Sequence, residues 1–108
     1  MGTNPFDRRV VVTGIGVINA LGSDIESFWS NILAGKCGID RITAFDISDY
    51  ACKIAAEVKD FDPTPAFPSP KEIRRTDRFT QFGIYAGWRA LQDSGLDVAK
   101  SDADRIGA

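Results

Sequence analysis

Histidine is absent from all 108 residues of the chain. Because histidine is the side chain most often used to transfer protons near neutral pH, its absence excludes Ser-His-Asp and Cys-His catalysis within this segment. The two cysteines, Cys37 and Cys52, are too few for a disulfide framework, and no Cys or His spacing is typical of zinc ligation. The sequence therefore predicts no catalytic residue, no metal site and no bound cofactor in this chain.

Long apolar runs and a strong net charge are also missing. No stretch approaches the roughly 20 apolar residues of a membrane span, and no signal peptide pattern is present. The formal net charge of −2 gives no general attraction to nucleic acid or to an anionic membrane. We expect a cytoplasmic protein with reduced thiols that binds neither nucleic acid nor membrane.

The pattern of the first 35 residues predicts the beginning of an α/β unit. Residues 1–7 are interpreted as a flexible leader, and the β-branched run over residues 9–14 predicts a strand buried on both faces. Ser23 and Glu26 form a possible capping box for a helix, and Gly35 stands where a helix C′ glycine belongs. Strand, turn and capped helix make the opening half of a β-α-β unit.

The second half of the chain predicts one short strand and two helices. Residues 55–58 favour a short strand, and the prolines of residues 63–68 favour a helix-free connector. Ser69-Pro70 is typical of a helix start.

A long helix is predicted over residues 77–94, ending at Gly95. Its small residues, Ala86 and Ala90 among them, favour burial against a partner. Residues 105–108 predict the start of a further strand, so we expect the chain to be an incomplete piece of a larger α/β protein.

Two short motifs have competing interpretations. Gly14 and Gly16 between a strand and a helix are compatible with a nucleotide-binding turn, but the next glycine, Gly22, comes too late for the G-x-G-x-x-G pattern. A buried strand with a tight turn is the simpler interpretation. Cys37 has only Lys36 nearby to lower its pKa, which favours a small packing residue over a nucleophile.

A basic cluster, Lys71, Arg74 and Arg75, is the candidate functional feature of the chain. Their i, i+3, i+4 spacing puts the three cations on one face of a helix. Such a face can dock an acidic partner, or it can simply be solvated. The residues alone leave both interpretations open.

Several blocks in the same order resemble the beginning of the β-ketoacyl-acyl carrier protein synthases, the elongating condensing enzymes of the type II kind. The matching blocks are RRVVVTGIG (8–16), LG (21–22), FW (28–29), LAGKCGI (33–39), FD (45–46), KEIRRTDRF (71–79), QDSGL (92–96) and RIGA (105–108). The similarity covers nearly the whole chain after the leader. Asn19-Ala20 departs from the serine- or threonine-proline often seen before the Leu-Gly turn, which affects the expected shape of that loop.

The resemblance implies a fold and an assembly. It implies the amino-terminal part of a thiolase-like fold, in which mixed central sheets are layered as α-β-α-β-α and two subunits form a homodimer. Residues 8–108 are then the beginning of the ketosynthase amino-terminal half, packed against the remainder of their own chain.

The resemblance also implies a reaction and a partner. Family members transfer an acyl chain from acyl carrier protein to a cysteine and then condense it with decarboxylated malonyl-acyl carrier protein. That cysteine and two histidines match no residue of this chain. The basic cluster matches the family's basic docking region for the acyl- and malonyl-loaded carrier protein.

Two alternatives to the synthase function remain at this point. The first is a non-catalytic chain-length subunit of a polyketide system, which shares these opening motifs and lacks the nucleophile. The second is a self-contained nucleotide-binding module.

Overall fold

Three helices and one two-stranded sheet form the regular structure of residues 4–108, the part of the chain that the computed structural model describes. The helices are α1 (Ile25–Leu33), α2 (Pro70–Arg74) and α3 (Arg78–Ser94), and the strands are β1 (Ile39–Arg41) and β2 (Ile54–Ala56). Short 3₁₀ turns lie at Pro5–Asp7, Thr64–Ala66, Val98–Lys100 and Ala103–Arg105. Within residues 4–108, no helix combines the length and the apolar character needed to cross a membrane. The first three residues of the expected leader lie outside the described residues.

Helix α1 begins one residue later than the capping box predicts. Asp24 is the N-cap, and its carboxylate accepts hydrogen bonds from the Ser27 amide at 2.8 Å and the Ser27 hydroxyl at 2.9 Å. These two hydrogen bonds lower the pKa of Asp24 because they favour its charged form. The prediction of Ser23 as the cap was wrong, because an aspartate in the next position satisfies the free helix amides equally well. The predicted glycine end is confirmed, since Gly35 adopts a left-handed φ of 68°.

The predicted starts and stops of the later helices are confirmed. Ser69 is the N-cap of α2 and Pro70 occupies its first turn. Asp77 precedes α3, and Gly95 ends it with a φ of 68°. These boundaries depend on local backbone chemistry, which explains why the sequence predicts them well.

Strands β1 and β2 pair through their backbones, and one carboxylate joins the residues that follow them. The strands are antiparallel, and Ile39 pairs with Ala56. Glu57, just beyond β2, accepts hydrogen bonds from the amides of Ala44 and Thr43 and from the Thr43 hydroxyl. The Ala44 amide, followed by the Thr43 hydroxyl, lowers the pKa of Glu57. The short strand predicted at residues 55–58 is confirmed at Ala55 and Ala56, although it begins one residue earlier and ends two residues earlier, whereas β1 was not predicted.

Two other predictions from the sequence were wrong. The connector expected to be helix-free contains the 3₁₀ turn Thr64–Ala66, because Pro65 fits its first turn. The strand expected at residues 105–108 is replaced by the 3₁₀ turn Ala103–Arg105, which is capped by Asp102, and by extended residues after it.

Residues 9–14 contain no turn or bend, but the strand predicted there is not formed, because the segment pairs with no other strand among the described residues. They are also not buried, because Val10, Val11 and Val12 are 90%, 75% and 80% exposed. An extended segment is a strand of a sheet only when a neighbouring backbone lies within hydrogen-bonding distance. The described residues supply no such neighbour for this segment.

The small residues of α3 allow residues 14–16 to approach the helix backbone. A Cβ atom added to Gly16 would overlap the Ala86 carbonyl oxygen and lie 2.9 Å from the Ala90 nitrogen. One added to Gly14 would overlap the Ala90 carbonyl oxygen and lie 2.6 Å from the Ser94 nitrogen. The predicted partner of this helix face is therefore confirmed at Ala86 and Ala90. The glycines are required by close packing between backbones.

This packing predicts a large cost for one added methyl group. In the full-length protein, Gly16→Ala should lower the free energy of unfolding by about 1–3 kcal/mol or more, because the colliding atoms are backbone atoms that cannot rotate away. Thermal or urea unfolding measures the loss. Gly87→Ala is the matched control, since nothing lies within 4 Å of a Cβ added there. An unchanged melting temperature for Gly16→Ala would contradict the packing.

Little of the chain is buried. Among the described residues, the buried hydrophobic side chains are Ile47 and Tyr85. Tyr85 lies in an aromatic cluster that also contains Phe61, Phe82 and Trp88. The radius of gyration is 18.4 Å, compared with about 13 Å for a compact domain of this length. The fold therefore leaves a large apolar surface open to solvent.

Candidate functional site

The basic cluster lies on and directly after α2. Lys71 and Arg74 belong to the helix, and Arg75 is its C-cap residue with φ −92° and ψ −7°. Because this conformation is still right-handed helical, the i, i+3, i+4 spacing of the three residues is kept although the helix itself ends at Arg74. All three side chains are exposed. The cluster is therefore accessible to an acidic partner.

One neighbouring carboxylate partly offsets this positive charge. Glu72 Oε1 lies 3.9 Å from Arg75 Nη1, and the two side chains are 48% and 64% exposed. An exposed pair at this distance contributes little to stability and is readily exchanged for another partner. Within residues 4–108, neither Lys71 nor Arg74 forms an ion pair. The cluster thus keeps most of its charge available.

Two side chains bind the carbonyl groups at the end of α2. Thr76 Oγ1 donates to the Ile73 carbonyl at 3.0 Å, and Gln81 Nε2 donates to the carbonyls of Ile73 and Thr76, both at 3.1 Å. Gln81 belongs to α3, so its amide links the two helices. Sequence reasoning missed Gln81, because a glutamine inside a helix carries no signal that its acceptors lie on another element.

Arg78 does not join the basic cluster, although it follows it closely in the sequence. Its guanidinium lies 5.1 Å from the centre of the Phe82 ring and 6.0 Å from that of Phe61, and Nη2 donates to the Val58 carbonyl at 2.5 Å. These cation–π and hydrogen-bonding contacts give Arg78 a role in packing.

Neither cysteine lies in an environment that activates a thiol. Cys37 and Cys52 are exposed, and each Sγ contacts a backbone carbonyl two residues further on, at 3.8 and 3.4 Å. The prediction that Cys37 is a packing residue was wrong, because no layer of the described fold covers the ends of the β1–β2 pair. In the described part of the chain, no three His, Cys, Asp or Glu residues are grouped to hold a metal ion.

The lining of the cleft beside residues 14–17 argues against the nucleotide-binding alternative. The cleft has a volume of about 560 Å³, and its lining includes three acidic residues, Asp24, Glu26 and Asp93, and one cation, Arg89. The lining is therefore net negative, which disfavours binding of a pyrophosphate. Gly14 and Gly16 face the α3 backbone instead of open space, so they cannot cradle a phosphate. Asp93 Oδ2 already accepts a hydrogen bond from the Ile15 amide, at 2.9 Å.

Comparison with known families decides what kind of chain this is. The sequence model of the family described as "Beta-ketoacyl synthase, N-terminal domain" matches residues 7–108. The chain belongs to the beta-ketoacyl synthase family. The resemblance expected from the sequence blocks is thereby confirmed.

Curated relatives of this beta-ketoacyl synthase chain include proteins named 3-oxoacyl-[acyl-carrier-protein] synthase 2. The protein of Coxiella burnetii is 46% identical over 100 residues, which are 93% of this chain. That of Vibrio harveyi is 45% identical over 100 residues, and one from Staphylococcus aureus is 43% identical over 101. The chain spans 24% of the length of each of these relatives.

A solved structure is similar to this beta-ketoacyl synthase chain as well. It is titled "The ishigamide ketosynthase/chain length factor", and its TM-score is 0.75 at 34% sequence identity. The match covers 85% of this chain and 23% of that one. Together with the family assignment, it confirms the expected fold class, the amino-terminal part of an α/β, thiolase-like fold.

Proposed function

We propose that this chain is the amino-terminal part of a 3-oxoacyl-acyl carrier protein synthase of fatty acid biosynthesis. Such an enzyme moves an acyl group from its carrier to a cysteine and condenses it with malonyl-acyl carrier protein, which loses carbon dioxide. The observation that carries the proposal is the 43–46% identity to synthases of that name over more than nine tenths of this chain. The cysteine and the histidines of the reaction would lie in the part of the enzyme that this chain does not contain. The proposal includes a cytoplasmic homodimer.

Within that enzyme, we propose that Lys71, Arg74 and Arg75 dock the acidic acyl carrier protein. The exposure and the arrangement of these three side chains support the proposal. The three cations are exposed, lie on one short helical surface and include two that form no ion pair within the described residues. Among the described residues, none of the three cations lies over an aromatic ring, whereas Arg78 and Arg89 do. Surface charges of this kind raise the rate of encounter and take no part in bond making.

Charge reversal tests the docking surface. In the full-length synthase, R74E combined with R75E should raise KM for carrier-linked donors on the order of ten-fold, because each change replaces an attraction by a repulsion. Steady-state kinetics with acyl-carrier and malonyl-carrier substrates measure the effect. Acylation of the cysteine by a small carrier-free thioester should stay nearly unchanged. Added salt should raise KM of the wild type more than that of the variant, since salt shortens the range of these attractions.

The matched control reverses two exposed lysines elsewhere, K36E with K100E, and changes the net charge by the same amount. A similar rise in KM for this control would mean that overall charge, and not the basic cluster, governs carrier binding. Equal losses with carrier-linked and carrier-free donors would assign the cluster to folding. No change with either donor would show a merely solvated surface.

A second candidate function is the non-catalytic chain-length subunit of a polyketide system. The observation that favours it is the structural similarity to the ketosynthase/chain length factor at 34% identity. The sequence of the full-length gene separates the two functions, because an active synthase requires one cysteine nucleophile and two histidines beyond this chain. The higher identity to the 3-oxoacyl-acyl carrier protein synthases favours the enzyme.

A further inference from the structure

A single side-chain amide supplies the hydrogen bonds that join α2 to α3 in the described part of the chain. Gln81 Nε2 donates to the carbonyl oxygens of Ile73 and Thr76, at 3.1 Å each, and Gln81 is half-buried between the two helices. Among the described residues, these are the hydrogen bonds that join residues 70–76 to a segment beyond them. The other hydrogen bonds of residues 70–76 stay within residues 69–76.

Helix α2 needs such an external anchor because of its length. It has five residues, and helices shorter than about 12 residues are marginal in water. Its apolar contribution is the half-buried Ile73, and its remaining side chains are exposed. The Glu72–Arg75 pair lies within the segment itself, so it does not fix the direction of the helix relative to the rest of the protein.

Helix α3 is packed well enough to hold α2 in a fixed position. It is 17 residues long, its Tyr85 is buried, and its backbone at Ala86 and Ala90 packs against Gly16. The Gln81 amide therefore connects a short, charged helix to the most firmly packed helix of the described fold.

We propose that Gln81 is a positioning residue for carrier docking, because its amide fixes the direction in which Lys71, Arg74 and Arg75 face the carrier protein. The inference rests on the proposed docking function and adds a residue that itself carries no charge and need not touch the carrier. Without the amide, the cluster keeps its charge but must be ordered during binding. Ordering mobile side chains and loops at an interface lowers affinity.

The test uses Gln81→Met in the full-length synthase, a change of similar size that removes the donor and leaves the charge unaltered. KM for carrier-linked donors should rise about three- to ten-fold, the range expected when one or two interface side chains must be ordered. Acylation by a carrier-free thioester should stay unchanged. Gln92→Met on the same helix is the control, because the exposed Gln92 side chain forms no hydrogen bond with the described residues. This control should change neither the carrier KM nor the rate of acylation.

A second measurement separates positioning from a general structural role. If Gln81 acts through the basic cluster, its effect on KM should vanish in an R74Q/R75Q background, where little charge remains to position. Persistence of the full Gln81→Met effect in that background overturns the inference, as do equal losses with both donors or a result identical to that of Gln92→Met.

The two proposals can fail separately. If R74Q/R75Q leaves carrier KM unchanged, the docking function itself is wrong. If R74Q/R75Q raises KM and Gln81→Met does not, only the positioning role is wrong. If Gln81→Met accumulates poorly, Gln81→Ser replaces it, and the short serine side chain should give the same changes in carrier KM and in the rate of carrier-free acylation. Failure of both variants to fold would assign Gln81 to the fold and overturn its role in positioning.

Discussion

The isolated 108-residue chain should form no condensation product above a no-enzyme control. It contains no histidine, and both of its thiols are exposed with a backbone carbonyl as their hydrogen-bond partner. A thiol reacts as its thiolate, so an exposed cysteine with no histidine base beside it is a poor nucleophile near neutral pH. Incubation with acyl- and malonyl-carrier protein, followed by mass spectrometry of the carrier, measures the product.

The full-length synthase serves as the positive control for that assay. Turnover by the isolated chain at even a small fraction of the full-length rate would contradict the prediction. It would also mean that one of the two cysteines is activated by a group that this structure does not place beside it. Replacing Cys37 or Cys52 by serine would then identify the nucleophile.

The isolated chain should also self-associate and unfold without a sharp transition. Val10 and Val12 are 90% and 80% exposed, and the extended segment that contains them has no paired neighbour among the described residues. Exposed apolar surface and an unpaired strand edge both favour association. Light scattering during size-exclusion chromatography should show species larger than the 11.8 kDa monomer, and calorimetry should show a broad, weak transition.

Replacing an exposed valine tests the cause of this association. Val10→Lys places a charge on the edge of the extended segment and should reduce association of the isolated chain, because a charged edge resists pairing with another copy. In the full-length synthase the same change should be destabilising if residues 9–14 form an inner strand there. A monomeric isolated chain with a sharp, cooperative transition would show instead that residues 8–108 are an autonomous domain.

Local signals in the sequence predicted the helix boundaries well, but they missed details that depend on competition between neighbours. Gly35 and Gly95 were placed correctly, since a left-handed backbone at a helix end favours glycine whatever surrounds it. The start of α1 was misplaced by one residue because Ser23 and Asp24 can both cap, and sequence patterns do not rank the two. Strand β1 was missed because two of its three residues, Asp40 and Arg41, are charged, whereas the equally short β2 is apolar.

The sequence by itself determined the family, the helix ends and the residues of the basic cluster. The order of the matching blocks and the local chemistry of Gly, Pro and capping residues do not depend on distant contacts. The tertiary structure alone decided that Gly16 lies against the backbone of Ala86, that Arg78 packs on the Phe61 ring, and that Gln81 donates hydrogen bonds to α2. Each of these is a contact between residues separated in the chain, and its geometry is set by how the helices and extended segments cross. A linear pattern does not contain that crossing.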